Sequence, residues 1–292
     1  MNLMLPANVL MALASALLWG GADFAGGMGV KRAGGTLGAA LRVVLISHFT
    51  SFTVLLAYLL VRGTPLPHGA PLFWGLGAGI ASGLSLTCFY MALAQGAMGA
   101  SAAISGLLAA AIPAGLTMAA QGSPGALHLA GFVVAGIAIW LIAASPAGAA
   151  RSSNAVMALA IGSGAGFGIY FVALKMAGAA GIVWPMTLSR IGSLTTCSLF
   201  LLLVTVRKMD TTARLTRSAI LWAVSIATMD TSGNMLFIAA TRAGRLDIAA
   251  VLASLYPAST ILLAAWMLHE HPTRRQTIGM GIAVAAIALI SL

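Results

Sequence analysis

The sequence predicts an all-α polytopic membrane protein, with ten transmembrane helices in two inverted five-helix repeats. Three observations carry that prediction. Of 292 residues, 60% are hydrophobic and only 7% are charged, with a mean hydropathy of +1.02; a soluble chain carries roughly 25% charged residues. Apolar stretches of spanning length, about 20 residues, recur along the whole chain. The chain also repeats itself at a constant shift of 148 residues. Arg42 recurs as Arg190, Trp74 as Trp222, Phe89 as Phe237, Gly96 as Gly244, Pro124 as Pro272, Gly131 as Gly279, and Leu141-Ile142 as Leu289-Ile290. Trp, Arg and Pro are scarce here, so their recurrence at one shift is informative, and internal repeats in an apolar chain are characteristic of transporters.

The spans follow in order, each ended by Gly, Pro or charge. In the first half they cover 7–29, 35–61, 70–94, 98–120 and 126–145. They are separated by Lys31-Arg32, by Arg62 to Pro67, by Gly96 and by Gly122 to Gly125. Pro146 to Asn154 separates the halves. The second half gives 154–177, 181–206, 217–241, 246–268 and 273–291, with breaks at Gly178 to Gly181, Arg207 to Arg217, Gly244-Arg245 and Glu270 to Arg275. Strand alternation is absent, which excludes a β-barrel. The shift maps spans 2–5 onto 7–10, and Met11 to Ala14 resembles Met157 to Ala160 at a shift of 146. Each repeat, 1–150 and 151–292, therefore holds five spans. Five is odd, so the second repeat enters from the opposite side, and the repeats are inverted about an axis in the membrane plane.

The net charge of +10 would suggest nucleic acid in a soluble protein. Here the basic residues sit in short connections, where they act as topology signals and headgroup contacts, so no nucleic-acid partner is expected. One side collects Lys31, Arg32, Arg151, Arg207, Lys208, Arg214, Arg217, Arg274 and Arg275; the other has Arg62, Lys175, Arg242 and Arg245. That bias would place both termini outside the cytoplasm. Cys88 and Cys197 lie in apolar spans without a CxxC partner, which gives no disulfide or zinc site. The N-terminus lacks a basic n-region and reads as a retained first span. No GxxxxGK[ST] is present, so ATP is not the direct energy source, and no cofactor is called for. Gly162-Ser163-Gly164 lacks the strand–turn–helix setting of a hydrolase nucleophile. His48 is the spanning histidine at a plausible depth.

Several local features resemble a known family. They are Ala16-Leu17-Leu18-Trp19-Gly20-Gly21, Arg42 in span 2, Tyr90-Met91-Ala92-Leu93 with Gly96, and Ala253-Ser254-Leu255-Tyr256-Pro257 followed by Glu270, Gln276 and Gly279. With ten spans in two five-span halves, the whole chain resembles the drug/metabolite transporter superfamily in its EamA-type branch. The resemblance implies alternating-access export of amino acids or other small metabolites across a bacterial inner membrane. The partners it implies are a small-molecule substrate, the lipid bilayer and coupling protons, in a monomer or weak oligomer. It also implies cytoplasmic termini, against the charge count, so orientation stays open. The chain departs from the pattern in two ways: Pro113 stands one helical turn late relative to Pro257, and Glu270 pairs with Gly122 in the first half.

Candidate functional residues follow from the cost of polarity in lipid. A charge at the bilayer centre costs at least about 2.5–3.5 kcal/mol, so intramembrane charges are paired or face water. Asp23 is expected to pair with Arg42 across the first hairpin, and Asp230 is placed at a depth that allows pairing with Arg190. Each pair reads either as a structural lock or, at the carboxylate, as a site for substrate or a coupling proton. Thr228, Thr231, Ser232 and Asn234 give Asp230 polar company, and its repeat mate is Ser82. The resemblance places spans 1, 3, 6 and 9 around the cavity. Trp19, Tyr90, Tyr170 and Tyr256 are then candidate substrate contacts, each with an apolar body and one hydrogen-bonding group, alongside Ser82, Asp230 and Asn234. Gly79, Gly83 and Gly166, within small-xxx-small runs, together with Pro113 and Pro257, are candidate packing and hinge positions. The expected cavity is lined by spans 1, 3, 4, 6, 8 and 9, with spans 5 and 10 at the periphery. The different-class alternatives are a passive channel and an intramembrane enzyme; a multidrug or cationic-compound exporter is the alternative within transport.

Overall fold

The computed structural model describes residues 5–94, 98–142, 153–209, 215–269 and 272–291. Gly96, Arg151, Arg214 and Glu270 lie outside them. The described residues form α-helices without any strand: α1 (Ala7–Arg32), α2 (Leu37–Arg62), α3 (Ala70–Ala94), α4 (Met98–Gln121), α5 (Ala126–Ile142), α6 (Asn154–Ala177), α7 (Val183–Val206), α8 (Arg217–Ala243), α9 (Leu246–Ala253), α10 (Tyr256–Leu268) and α11 (Arg274–Ser291). With α9 and α10 counted as one interrupted rod, these are the ten expected rods. Among the described residues, seven spans are long and apolar enough to cross a membrane by length and composition alone. Two of the others fall short for visible reasons. The described part of α5 is only 17 residues long, and α8 carries Arg217, Asp230 and Arg242.

The helix ends are written in local chemistry. Thr36, Ser153 and Thr216 cap α2, α6 and α8, each accepting from the backbone N–H three residues on, which satisfies an orphan donor. Thr273 and Gln276 form a reciprocal capping box at the start of α11. Gly63 closes α2 in the left-handed region with φ 58°, where glycine carries no Cβ penalty.

Span 9 is not continuous. The helix stops at Ala253 and restarts at Tyr256, with Pro257 in the first turn of α10. Proline has no N–H to give the carbonyl one turn back, and its ring crowds that carbonyl. The chain passes the gap with tighter bonds, Leu255 N–H to Leu252 C=O and Ala258 N–H to Leu255 C=O. Pro113 behaves differently and stays inside an unbroken α4.

α1 packs chiefly on α8, α3 on α6 and α7, α4 on α6, α2 on α7, and α5 on α11. Side-chain contacts fix which connections share an end of the bundle. At one end, Arg32 Nη1 donates to Ser218 Oγ at 2.7 Å. At the other, Arg245 Nη2 donates to the Gly122 carbonyl at 2.9 Å, and Lys175 and Arg242 donate to the Thr241 and Gly178 carbonyls.

Glycine decides where helices touch. A methyl at Gly79 would overlap the Ser189 carbonyl, and one at Gly192 the Leu76 carbonyl, so α3 and α7 meet backbone to backbone. Gly83 lies against Ser193 and Gly166 against Ser85. Gly162 faces open space; Gly164 and Gly168 are the α6 glycines that press on α4, at Ser105 and Ile112.

Candidate functional site

A small, partly open cavity lies inside the bundle. α1 contributes Trp19 and Asp23, α3 contributes Ser82 and Leu86, and α8 contributes Asp230 and Asn234. Phe167, Tyr170 and Phe171 come from α6, and Tyr256 from the first turn of α10. The cavity therefore draws on both halves of the chain. No described residue of α4 lines it, which corrects the expectation for span 4: α4 spends its inward face on α6 and on the α9–α10 break, where Gly106 sits beside the Ser254 carbonyl.

One wall is aromatic. Trp19 stacks on Phe171 with centroids 4.9 Å apart and planes within 6°, and Phe237 tilts against both rings. The Tyr170 and Tyr256 rings are buried, and their hydroxyls make no hydrogen bond of acceptable geometry in the described structure. Ser82 and Ser189 are near the first and Ser105 near the second. Asn234 donates to the Asp230 backbone carbonyl at 2.7 Å, while its Oδ1 has no partner. Buried polar atoms are normally satisfied by protein or water, so these three groups mark the cavity as a place for something polar. Tyr90 is corrected from wall to support. It is buried against Gly26 of α1, where a methyl would overlap its ring, and it is absent from the lining.

Behind the Asp230 of the lining lies a buried ionic network. Arg190 on α7 is fully buried. Its Nη2 donates to Asp230 Oδ2 at 2.5 Å and to Thr231 Oγ1 at 2.9 Å. Its Nη1 lies 2.7 Å from His48 Nε2. A guanidinium only donates, so His48 Nε2 must be the acceptor and the imidazole is the neutral Nδ1–H tautomer. Nδ1 then donates to Ser193 Oγ at 2.6 Å. Three helices, α2, α7 and α8, are tied through one guanidinium.

The Asp23–Arg42 pair is not among the ion pairs of the described residues, and the reason is register. α1 runs on to Arg32 and α2 starts at Leu37, so Asp23 lies nine residues from its helix end and Arg42 five from its own. At about 1.5 Å per residue the two differ in depth by about 6 Å, more than one turn. α1 also barely touches α2. Asp23 faces the cavity, where Asp230 is the charge that acts on it. Arg42 is half-buried on α2.

The sequence reading missed Leu86, Phe167 and Phe171 in the lining and gave His48 no part in the site. The i, i+3, i+4 spacing of Phe167, Tyr170 and Phe171 puts them on one face of α6; that periodicity was the available signal. A lone histidine inside an apolar span was the signal for His48.

The fold and this enclosed polar–aromatic cavity define a polytopic helical membrane protein with an internal site. Residues 154–292 match the EamA-like transporter family of the drug/metabolite transporter superfamily, and such a match implies a membrane transporter of small molecules. No curated protein matches the chain. A solved crystal structure is similar over 97% of this chain and 95% of its own, with a TM-score of 0.75 at 18% sequence identity. At that identity the likeness speaks for the fold alone.

Proposed function

We propose that the protein is a secondary-active exporter of small amphipathic metabolites, amino acids first among them, in a bacterial inner membrane. It works by alternating access between two inverted repeats, residues 1–150 and 151–292. The observation that carries this reading is a reciprocal contact. Gly131 of α5 packs against Leu289 and Ile290 of α11, and Gly279 of α11 packs against Leu141 and Ile142 of α5. These are the same positions under the 148-residue shift, each touching the other's counterpart, as a two-fold axis between α5 and α11 requires. The helix partners follow the same exchange: α1 on α8 matches α6 on α3, and α4 on α6 matches α9–α10 on α1. With an odd number of spans in each half, such an axis would lie in the membrane plane, between the halves that line the cavity.

The cavity chemistry supports an amphipathic substrate, with stacked rings along one side and unmatched Tyr, Asn and Asp groups facing them. A cationic compound is the second reading, favoured by Asp23, which has no ion-pair partner among the described residues. The test is counterflow in proteoliposomes with a panel of amino acids, neutral amphipathic metabolites and organic cations. Exchange that saturates with one class supports a carrier and names its substrate. Flux that rises linearly with concentration for all of them identifies a channel and overturns the proposal.

A further inference from the structure

A groove between α2 and α8 is much roomier than the central cavity. The cavity has about 30 Å³, enough for a water or two. The groove has about 440 Å³, within the range of small-molecule sites. It lies in the halves of α2 and α8 that run towards Arg62 and Arg242, beside Val183 at the start of α7. Its lining mixes the hydroxyls of Thr228, Thr231 and Ser232 with the apolar Val54, Leu55 and Met235, and no lining side chain is charged. On α2, Thr50 and Ser51 spend their hydroxyls on carbonyls one turn back. Thr228 and Ser232, exposed near the middle of α8, make no bond of that kind in the described structure. Hydrocarbon offers a hydroxyl no partner, so this pair calls for a polar occupant.

The corresponding contact in the other half is shut. By the 148-residue shift, α2 corresponds to α7 and α8 to α3. Gly79, Gly83 and Gly192 close the α3–α7 seam. Their counterparts are Ala227, Thr231 and Val44, which carry side chains where the closed seam has none. Thr228, Ser232 and Ser51 correspond to Ile80, Leu84 and Leu199, so these hydroxyls belong to the open side alone and the helix architecture does not require them. The groove also adjoins the site. Thr231 lines the groove, its neighbour Asp230 lines the central cavity, and Arg190 Nη2 bonds both.

We propose that the α2–α8 groove is a binding site for uncharged amphipathic molecules, and the sideways portal through which they pass between the bilayer and the central cavity, with Arg190 as its closed door. This rests on the transport reading above and narrows its substrates to the neutral amphipathic class. Val54 and Tyr58 are 66% and 51% exposed, so the groove opens on the surface that faces lipid. The apolar body of the guest lies on Val54, Leu55 and Met235, and its hydrogen-bonding head on Thr228 and Ser232. An ionised guest finds no counter-charge in the lining, and an unmatched charge at this depth is costly. Passage inwards requires Arg190 to release Thr231, a neutral partner, while its ion pair with Asp230 stays.

The experiment is photolabelling of the full-length protein in proteoliposomes with a diazirine-bearing octanol, an uncharged amphiphile, followed by peptide mapping and run beside counterflow. Labelling of α2 and α8 along the groove should saturate, and the substrate that counterflow identifies should compete it away. Ser232→Trp sets an indole in the mouth at an exposed position. It should abolish that labelling and slow counterflow by about tenfold or more, because entry becomes the slow step, with the melting temperature unchanged. Leu84→Trp, at the corresponding exposed position on the closed side, should leave labelling and counterflow as in the wild type. If Ser232→Trp folds poorly, Thr228→Phe closes the same mouth. Labelling that rises in proportion to the probe and ignores the substrate marks a lipid-filled crevice and overturns the proposal. Unchanged counterflow in Ser232→Trp, or counterflow confined to zwitterionic amino acids, overturns it too. The two readings fail separately. Flux without saturable labelling overturns the groove and leaves the transporter; saturable labelling without flux leaves the amphiphile site and overturns the transport reading together with the portal.

Discussion

Tyr170 and Tyr256 bring hydroxyls into the cavity that bond to nothing of good geometry in the described structure, and this separates stability from function at single atoms. Removing a hydroxyl that makes no internal bond should cost the fold little, within about 0.5 kcal/mol. Tyr170→Phe is therefore expected to melt like the wild type while the KM for counterflow rises severalfold. An unchanged KM would remove Tyr170 from the substrate's contacts. Arg190 is the opposite case. It is fully buried and bonds Asp230, Thr231 and His48, so Arg190→Ala strands a carboxylate. Breaking one partner of a buried pair costs about 3–5 kcal/mol, and folded yield should fall sharply. Arg190→Met combined with Asp230→Asn leaves no orphan charge and should recover part of the loss. A double-mutant cycle on thermal stability measures that coupling; strict additivity would mean that the 2.5 Å contact contributes nothing specific.

At the scale of helices, two features make opposite demands. The α3–α7 contact has no room to give, because Gly79 and Gly192 bring the two backbones together. Gly79→Leu must push α7 away, and overpacking of this kind costs about 1–3 kcal/mol or more. Both folded yield and transport should fall. Gly77→Leu, whose added atom meets nothing within 4 Å, is the matched control and should leave both intact. The α9–α10 break is a site of freedom. Pro257→Ala restores an N–H and lets the two segments join as one helix. Its expected effect is unchanged or slightly higher thermal stability with slower transport. Equal transport rates in wild type and variant would show that the break is only a packing accommodation.

For the whole molecule, the connections divide between two ends, as Arg32 with Ser218 at one end and Arg245 with Gly122 at the other indicate. Single cysteines at Gly35 and Lys208 should label from the same side of sealed vesicles, and cysteines at Pro65 and Ser123 from the opposite side. Labelling of Pro65 and Lys208, which lie in corresponding connections of the two halves, from one side would break the inverted arrangement. The end that carries Arg32, Arg207 and Arg217 is the more basic, which by the positive-inside rule alone points to the cytoplasm, against the cytoplasmic termini that the family resemblance implies; the same labelling in intact cells decides between the two.

Much of this was legible because lipid allows so few solutions. A backbone that must satisfy itself in hydrocarbon has to be helical, so ten apolar stretches bounded by Gly, Pro and charge gave the helices to within about three residues at most ends. The repeat at 148 residues made Gly131 and Gly279 mates, and Leu141-Ile142 and Leu289-Ile290 mates, but that they meet between α5 and α11 came only from the structure. The charged residues in spans announced themselves because such charges are costly, and Arg190 with Asp230 was readable from depth alone. Asp23 with Arg42 was misread for the same reason, since three residues of extra helix on α1 and a later start of α2 shift their relative depth by more than one turn. What only the tertiary structure decided is rotation about each helix axis and the choice of neighbour. Those choices turned Tyr90 onto Gly26, set Phe171 against Trp19 and placed His48 on Arg190. The physical reason is that hydrocarbon fixes how far a residue lies along its helix, whereas the direction it faces depends on glycine-sized gaps and hydrogen-bond partners supplied by helices distant in sequence.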